Sequence, residues 1–228
     1  MSSPPQLQPR VCRLAVVDDD TLIREALRRL LPGHLRTEIT ARSVEEFLAR
    51  GRVEVDVVLL DLHLAAPSLL AGHSGPVLRG TRAVRILAGE RHHRILLYTN
   101  EARPHVLAAC VAAGALGLAH KTEPLPDLVA AIDTVADGGA VLTPAVARVV
   151  RRVLEKSRPQ LTSREAEVIK LCAAGLAQKQ IARLLGISIK TVEAHLRNVT
   201  TKFSQYLADH SIAQLAHEFG ITEGDLVS

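Results

Sequence analysis

Asp61 follows an apolar run that ends at Leu60, and three more runs close on polar residues suited to the same chemistry. Leu14 to Val17 meets Asp18-Asp19-Asp20, Ile95 to Tyr98 meets Thr99, and Ala115 to Ala119 is followed shortly by Lys121. In an open parallel α/β sheet, ligands bind outside the carboxyl ends of the strands, so residues placed just past four strands converge on one crevice. Carboxylates gathered there repel one another, and a hard divalent cation with oxygen ligands, for which Mg2+ is the natural choice, relieves the repulsion. Asp61 could then attack a phosphoryl donor through its carboxylate. Lys121 would balance the phosphoryl oxygens, and the Thr99 hydroxyl would donate to one of them as a switch element. Taken by themselves, Asp18 to Asp20 suit a helix N-cap and its acidic first turn equally well.

A second constellation lies nearer the C-terminus. Val192, Leu196, Val199 and Phe203 recur at helical spacing and predict one buried helix face. Opposite them stand Lys190, Glu193, Ala194, Arg197 and Thr201, free to enter a major groove, where Arg reads guanine, Glu accepts from cytosine and Ala touches a thymine methyl. Gln178, Lys179, Lys190, Thr191 and Lys202 suit phosphate contacts, which set register and salt dependence. From Gln178 to Lys202 the bases Lys179, Arg183, Lys190, Arg197 and Lys202 face only Glu193. A solvated charged helix face is the plain alternative.

The elements that must hold these residues are legible as patterns. From Val11 to about Asp137, short apolar runs alternate with amphipathic stretches, which predicts an α/β domain with a doubly wound parallel sheet of five strands and five helices. Ser43 with Glu46 suggests a capping box for the second helix, and Pro126 suits the first turn of the fifth. Gly138-Gly139 marks a seam, after which Val146, Val149, Val150 and Val153 recur on a helix from Pro144 to Lys156 that Ser157-Arg158-Pro159 interrupts. Beyond Pro159 no strand pattern remains, only four helices. Thr162 with Glu165 opens the first and Gly175 closes it; Gln178 to Leu185 is closed by Gly186; Ser188 caps the third; Asp209 to Phe219 is the fourth. Two short helices joined across Gly186-Ile187-Ser188 predict a helix-turn-helix. The domain boundaries read as 9–137, a helical linker at 138–158, and 159–228.

Composition excludes several classes. With 47% hydrophobic but only 2% aromatic residues, the core must be Leu, Val, Ile and Ala. No apolar stretch reaches the roughly 20 residues that span a bilayer, and the opening residues lack the apolar core of a signal peptide, so a soluble, cytoplasmic protein is expected. Cys12, Cys110 and Cys172 are far apart and form no CxxC, against a disulfide framework or a zinc site. The formal charge of +4 permits a nucleic-acid partner. Residues 159–228 hold seven Lys and Arg against seven Asp and Glu, so the excess lies upstream and the basic stripe is local. Gly72-His73-Ser74-Gly75 misses the spacing of a nucleophile elbow, and no Walker sequence is present, so an enzyme is not expected.

The N-terminal part resembles a response-regulator receiver domain of flavodoxin-like fold, and the C-terminal part resembles the DNA-binding domain of the NarL/LuxR family. The second resemblance rests on Leu161 to Val168, Gly175, Ile181-Ala182, Ile187-Ser188 and Thr191 to Leu196. The receiver resemblance implies Mg2+ at Asp18 or Asp19 with Asp61 and the backbone carbonyl of His63, phosphorylation of Asp61 by a partner histidine kinase, and readout through Thr99 and Lys121. The DNA-binding resemblance implies base contacts at Glu193, Ala194 and Arg197 on promoter DNA, and a homodimer, for which the fourth and fifth receiver helices and the helix Asp209 to Phe219 are the candidate surfaces. The chain departs from the family at four places. Leu62 to Gly80 is a longer loop than usual, Leu118 replaces the aromatic partner of the switch Thr, Asn100 replaces a small residue, and Glu193 stands where many relatives carry a base. A regulator tuned by a ligand or independent of phosphorylation, and a module that sequesters a protein partner, are the alternatives.

Overall fold

A computed structural model of the chain describes residues 11–51, 53–64, 78–157 and 161–209. Its centre is a fully parallel sheet of order β2-β1-β3-β4-β5-β6, with β1 Cys12–Val17, β2 Leu35–Ala41, β3 Val57–Leu60, β4 Ile95–Thr99, β5 Gly117–His120 and β6 Val141–Leu142. The first five strands follow the 2-1-3-4-5 order of flavodoxin-like sheets. Their helices are α1 Thr21–Leu30, α2 Val44–Ala49, α3 Gly80–Arg85, which runs on as a π-helical turn Ile86–Glu90, α4 Pro104–Ala112 and α5 Leu125–Ala136. The strands are apolar on both faces, as a doubly covered parallel sheet requires. Leu14, Val16, Leu59 and Leu96 pack with α1 and α5, whereas Ala15, Val17, Leu60 and Leu97 pack with α2, α3 and α4.

The sheet has one strand more than the five expected. Val141 and Leu142, read as part of a linker, pair parallel with Gly117 and Leu118. A two-residue strand carries too little alternation to announce itself in sequence. The helix that follows, α6 Pro144–Ser157, agrees with the Val146, Val150 and Val153 spacing, and all three are buried. Two residues of the stretch expected to separate the domains are therefore built into the first domain's sheet.

The C-terminal helices are α7 Ser163–Ala173, α8 Gln178–Leu185 and α9 Ile189–Asp209. The capping box is complete: Thr162 Oγ1 accepts from Glu165 N–H at 3.2 Å and Glu165 Oε2 accepts from Thr162 N–H at 2.8 Å. Gly186 ends α8 at φ 65°, a left-handed conformation that favours a residue without Cβ. Ser188 Oγ then accepts from Thr191 N–H at 3.0 Å at the start of α9. Val192, Leu196, Val199 and Phe203 are all fully buried. At Ser43 the expectation holds in half: its hydroxyl caps Glu46 N–H, but Glu46 reaches back to Arg42 N–H instead of to the cap residue. The fourth C-terminal helix and most of the loop from Leu62 to Gly80 lie outside the described residues.

Both halves share one core. Leu118 and Leu142 of the sheet, Val146 and Val150 of α6, Ile169 and Cys172 of α7 and Leu196 of α9 belong to a single buried cluster. Among the described residues, no helix is long and apolar enough to cross a membrane.

Candidate phosphoryl-acceptor site and candidate DNA interface

The four strand-end residues fall at one rim of the sheet. Asp18 directly follows β1, Asp61 directly follows β3, Thr99 closes β4 and Lys121 follows β5, and β3, β4 and β5 lie side by side with β1 next to β3. Lys121 Nζ lies 2.8 Å from Asp18 Oδ2 and 2.8 Å from Asp61 Oδ2. Carboxylate oxygens of Asp18, Asp19 and Asp61 lie within 4.8 Å of one another. Asp20 takes the capping role instead, its Oδ1 accepting from Leu22 N–H at 2.8 Å at the head of α1. The two readings of the Asp triplet are thus divided between neighbouring residues.

Electrostatics follow from burial. Asp18 is almost wholly buried, and desolvation pushes its carboxyl above the usual carboxylate range against the pull of Lys121. Burial pulls the Lys121 ammonium down, but its hydrogen bonds to Asp18 and Asp61 outweigh this and raise it, so it stays charged. One oxygen is left over: Asp61 Oδ1 is buried without a hydrogen-bond partner. A buried polar oxygen with no partner is costly and calls for an explanation. A hard cation, or an electrophile approaching that oxygen, fits a donor set made wholly of carboxylates.

Thr99 is buried, its Oγ1 accepting from Glu101 N–H at 3.2 Å and lying 3.4 Å from His63 Nδ1. The other ring nitrogen of His63 lies 3.4 Å from Glu101 Oε2. Glu101 is itself buried and gripped by the Arg103 guanidinium at 2.7 to 3.0 Å. Burial alone would raise the Glu101 carboxyl, but the hydrogen bonds from Arg103 hold it below its usual value. His63 was expected to matter only through its carbonyl, and Glu101 and Arg103 were not expected at all. Their signal in sequence is an Asn-Glu-Ala-Arg run directly after Thr99, which reads as an ordinary polar loop until the fold closes it on His63. Leu118, standing in for an aromatic, is buried in the core, and Asn100 is exposed.

The predicted DNA-facing residues divide. Lys179, Lys190 and Ala194 are exposed. Lys190 also pairs with Glu193 Oε2 at 3.1 Å, and Thr191 Oγ1 lies 2.8 Å from Ser188 Oγ. Lys202, expected at a phosphate, pairs with the buried Glu165 at 2.7 Å because α7 packs on α9 there. Glu193, expected to be free, is buried: its carboxylate lies against Gly139 so closely that a Cβ on that glycine would sit 2.7 Å from Glu193 Cδ. Arg197 Nη2 donates to Gly138 O at 3.1 Å and Gln178 Nε2 donates to Ala140 O at 3.1 Å. Three consecutive residues at the seam therefore hold three residues of the candidate DNA face. Beside them α9 lies along α4, with Ser204 Oγ donating to Ala108 O at 3.1 Å. Sequence spacing sorted α9 into buried and free faces correctly for its own domain, but could not register a second domain covering part of the free face.

Comparison with known proteins agrees with this geometry. Residues 159–219 match the family of bacterial regulatory proteins, luxR family. The transcriptional regulatory protein MctR of Rhizobium johnstonii is 30% identical over 220 residues, spanning 90% of this chain and 96% of MctR. The chain belongs to the NarL/LuxR family of response regulators. The nitrate/nitrite response regulator NarP of Escherichia coli K12 is 32% identical to the regulator over 200 residues, 84% of this chain and 88% of NarP. A solved LuxR-family two-component response regulator from Aurantimonas sp. aligns at TM-score 0.53 and 28% identity, covering 63% of this chain and 97% of that one. RcsB of Salmonella enterica serovar Typhimurium, solved bound to a promoter in the presence of the phosphomimetic BeF3−, aligns at TM-score 0.54 and 19% identity over 87% of this chain and 97% of that one. It shares the two-domain fold of the regulator, a parallel sheet with helices followed by a helical domain. By family the chain is a transcriptional regulator.

Proposed function

We propose that the chain is a cytoplasmic transcriptional response regulator in which Asp61 accepts a phosphoryl group from a sensor histidine kinase, and that this controls binding to promoter DNA. The receiver would span 9–137, the helical linker 138–158 and the DNA-binding domain 159–228. The reading rests on one observation above all: Lys121 bridges Asp18 and Asp61 at 2.8 Å each while the second oxygen of Asp61 is buried without a partner. That oxygen is the nucleophile. It bonds to phosphorus as the bond from phosphorus to the donor nitrogen breaks and the electron pair leaves with the donor imidazole.

Asp18, Asp19, Asp61 and the backbone carbonyl of His63 would hold Mg2+, which when bound neutralises charge on the entering phosphoryl oxygens. Lys121 carries the remaining positive charge, and Thr99 exchanges its contact with His63 for a phosphoryl oxygen. In the unphosphorylated chain the DNA face is latched, since Gln178, Glu193 and Arg197 are engaged by Gly138 to Ala140. Opening frees these three to join the already exposed Lys179, Lys190 and Ala194, with Thr191 beside them, in base and phosphate contacts, while Lys202 stays paired with Glu165 inside its own domain. It also uncovers α4, which α9 occupies here, so that α4 and α5 can pair with a second copy on paired half-sites.

The test is mass spectrometry of the intact chain incubated with acetyl phosphate and Mg2+. The wild type gains the mass of one phosphoryl group and Asp61→Asn gains none. Equal addition to both, or none to the wild type, refutes the assignment.

A further inference from the structure

The site needs a way out, and the usual one is altered here. Leu118 stands where a swinging aromatic ring would be, and it is buried in the core. A branched aliphatic chain fixed among core neighbours has no second, solvent-facing position to take up. The other strand-end residue that touches Asp61 is Lys121, 2.8 Å away.

The loop after β5 is short and closely tied. Lys121 N–H donates to Thr99 O at 3.0 Å, and Glu123 N–H donates to His120 O at 3.0 Å, so the backbone on either side of Lys121 is pinned to one turn. Both ends of that turn reach the segment leading to the DNA-binding domain. His120 N–H donates to Thr143 Oγ1 at 3.3 Å, and Glu123 Oε1 accepts from Ala145 N–H at 2.5 Å, in the first turn of α6. Thr143 is buried and its own carbonyl accepts from Ala147 N–H at 2.8 Å, so it begins the helix. From there α6 reaches α7 through Arg148 Nη1, which donates to Ala173 O at 3.4 Å, and β6 reaches the same helix at Leu142 O, which accepts from Cys172 Sγ at 3.0 Å. Glu123 is also close enough to Cys172 for its charge to add to the burial that raises that thiol. A single residue, Thr122, thus separates the ammonium that bonds Asp61 from the carboxylate that caps the helix carrying the second domain.

We infer that Glu123 is a positioning residue that couples the phosphoryl-acceptor site to the DNA-binding domain: its carboxylate fastens the Lys121 turn to the N-terminus of α6, so that a shift of Lys121 is delivered to α7. The inference rests on the phosphorylation reading above. When a phosphoryl group on Asp61 draws the Lys121 ammonium away from its bridge to Asp18, the turn moves with it. Glu123 and Thr143 then carry that displacement into α6 and loosen the latch at Gly138 to Ala140. Coupling between sites in two-state proteins commonly changes affinity by about 5- to 150-fold.

The experiment compares full-length wild type, Glu123→Ala and Glu123→Gln. Each is titrated onto duplex DNA with and without BeF3− and Mg2+, and phosphoryl uptake from acetyl phosphate is followed by mass. Gln keeps a side-chain carbonyl that can accept from Ala145 N–H, whereas Ala keeps nothing. The expected result is unchanged phosphoryl uptake in all three, a wild-type-like affinity ratio in Glu123→Gln, and a ratio within about twofold of one in Glu123→Ala. A purely structural cap would lower the melting temperature of Glu123→Ala yet leave the ratio intact, and that result overturns the coupling. If Glu123→Ala fails to fold, Thr143→Val, which removes the parallel contact from His120 N–H, must lower the ratio, and an unchanged ratio overturns the inference. A wild type whose DNA affinity ignores BeF3− removes the phosphorylation reading and this inference together. A wild type that responds, with Glu123→Ala responding equally, removes only the route through Glu123.

Discussion

Replacing Gly139 by Ala tests whether the seam restrains the DNA face, because it acts on the latch without replacing a residue proposed to contact DNA. A Cβ there would lie 2.7 Å from Glu193 Cδ, 2.8 Å from Glu193 Oε2 and 2.8 Å from Thr134 Cγ2. Carbon atoms in good contact sit about 3.5–4.0 Å apart, so both neighbours must move. The backbone accepts Ala, since Gly138 and not Gly139 has the positive φ. Thr134 belongs to α5, on the same side of the seam as Gly139, so its displacement costs the same whether the DNA-binding domain is docked or released and cancels. Only the Glu193 contact differs between the two states. Overpacking costs about 1–3 kcal/mol, and the end of a flexible side chain takes the lower figure. About 1 kcal/mol lowers the ratio of latched to open protein about fivefold, and apparent affinity rises in step with the open fraction. Fluorescence anisotropy on a duplex selected by the phosphorylated protein, at one fixed salt concentration, should show Gly139→Ala binding about fivefold tighter than wild type without BeF3− and equally with it. An equal change in both conditions, or none in either, would refute the latch.

Two further expectations follow from burial and charge. Burial alone would raise the Glu165 carboxyl, but Lys202 and the Thr162 cap hold it below the usual value. The stability it lends is present above the unfolded glutamate range and is lost as pH falls through the depressed value. Glu165→Gln should therefore destabilise the chain at pH 7 by about 1–3 kcal/mol in urea, with the difference narrowing below pH 4; a difference that widens in acid contradicts the pairing. Burial pushes the Cys110 and Cys172 thiols up to about 12, so both should resist a thiol-labelling reagent at pH 8 in the native chain and react once it is unfolded in urea. Prompt native labelling of either would show that the shared core opens readily.

Periodicity and punctuation carried most of the architecture. Doubly buried strands announce themselves as continuous apolar runs, and residues just past such runs must meet at one sheet rim, which is why Asp18, Asp61, Thr99 and Lys121 were legible before any coordinates. The stripe through Val192, Leu196, Val199 and Phe203, the Thr162 capping box and the Gly186 stop were legible for the same reason: each depends on contacts within one helix or one turn. Tertiary structure decided what depends on surfaces distant in sequence. It divided the Asp triplet into a cap and a site, closed His63 and Glu101 over Thr99, added Val141-Leu142 to the sheet, and placed Gly138 to Ala140 against the DNA face. None of these leaves a local period in the chain, because each is a pairing between segments that only a folded sheet brings within reach.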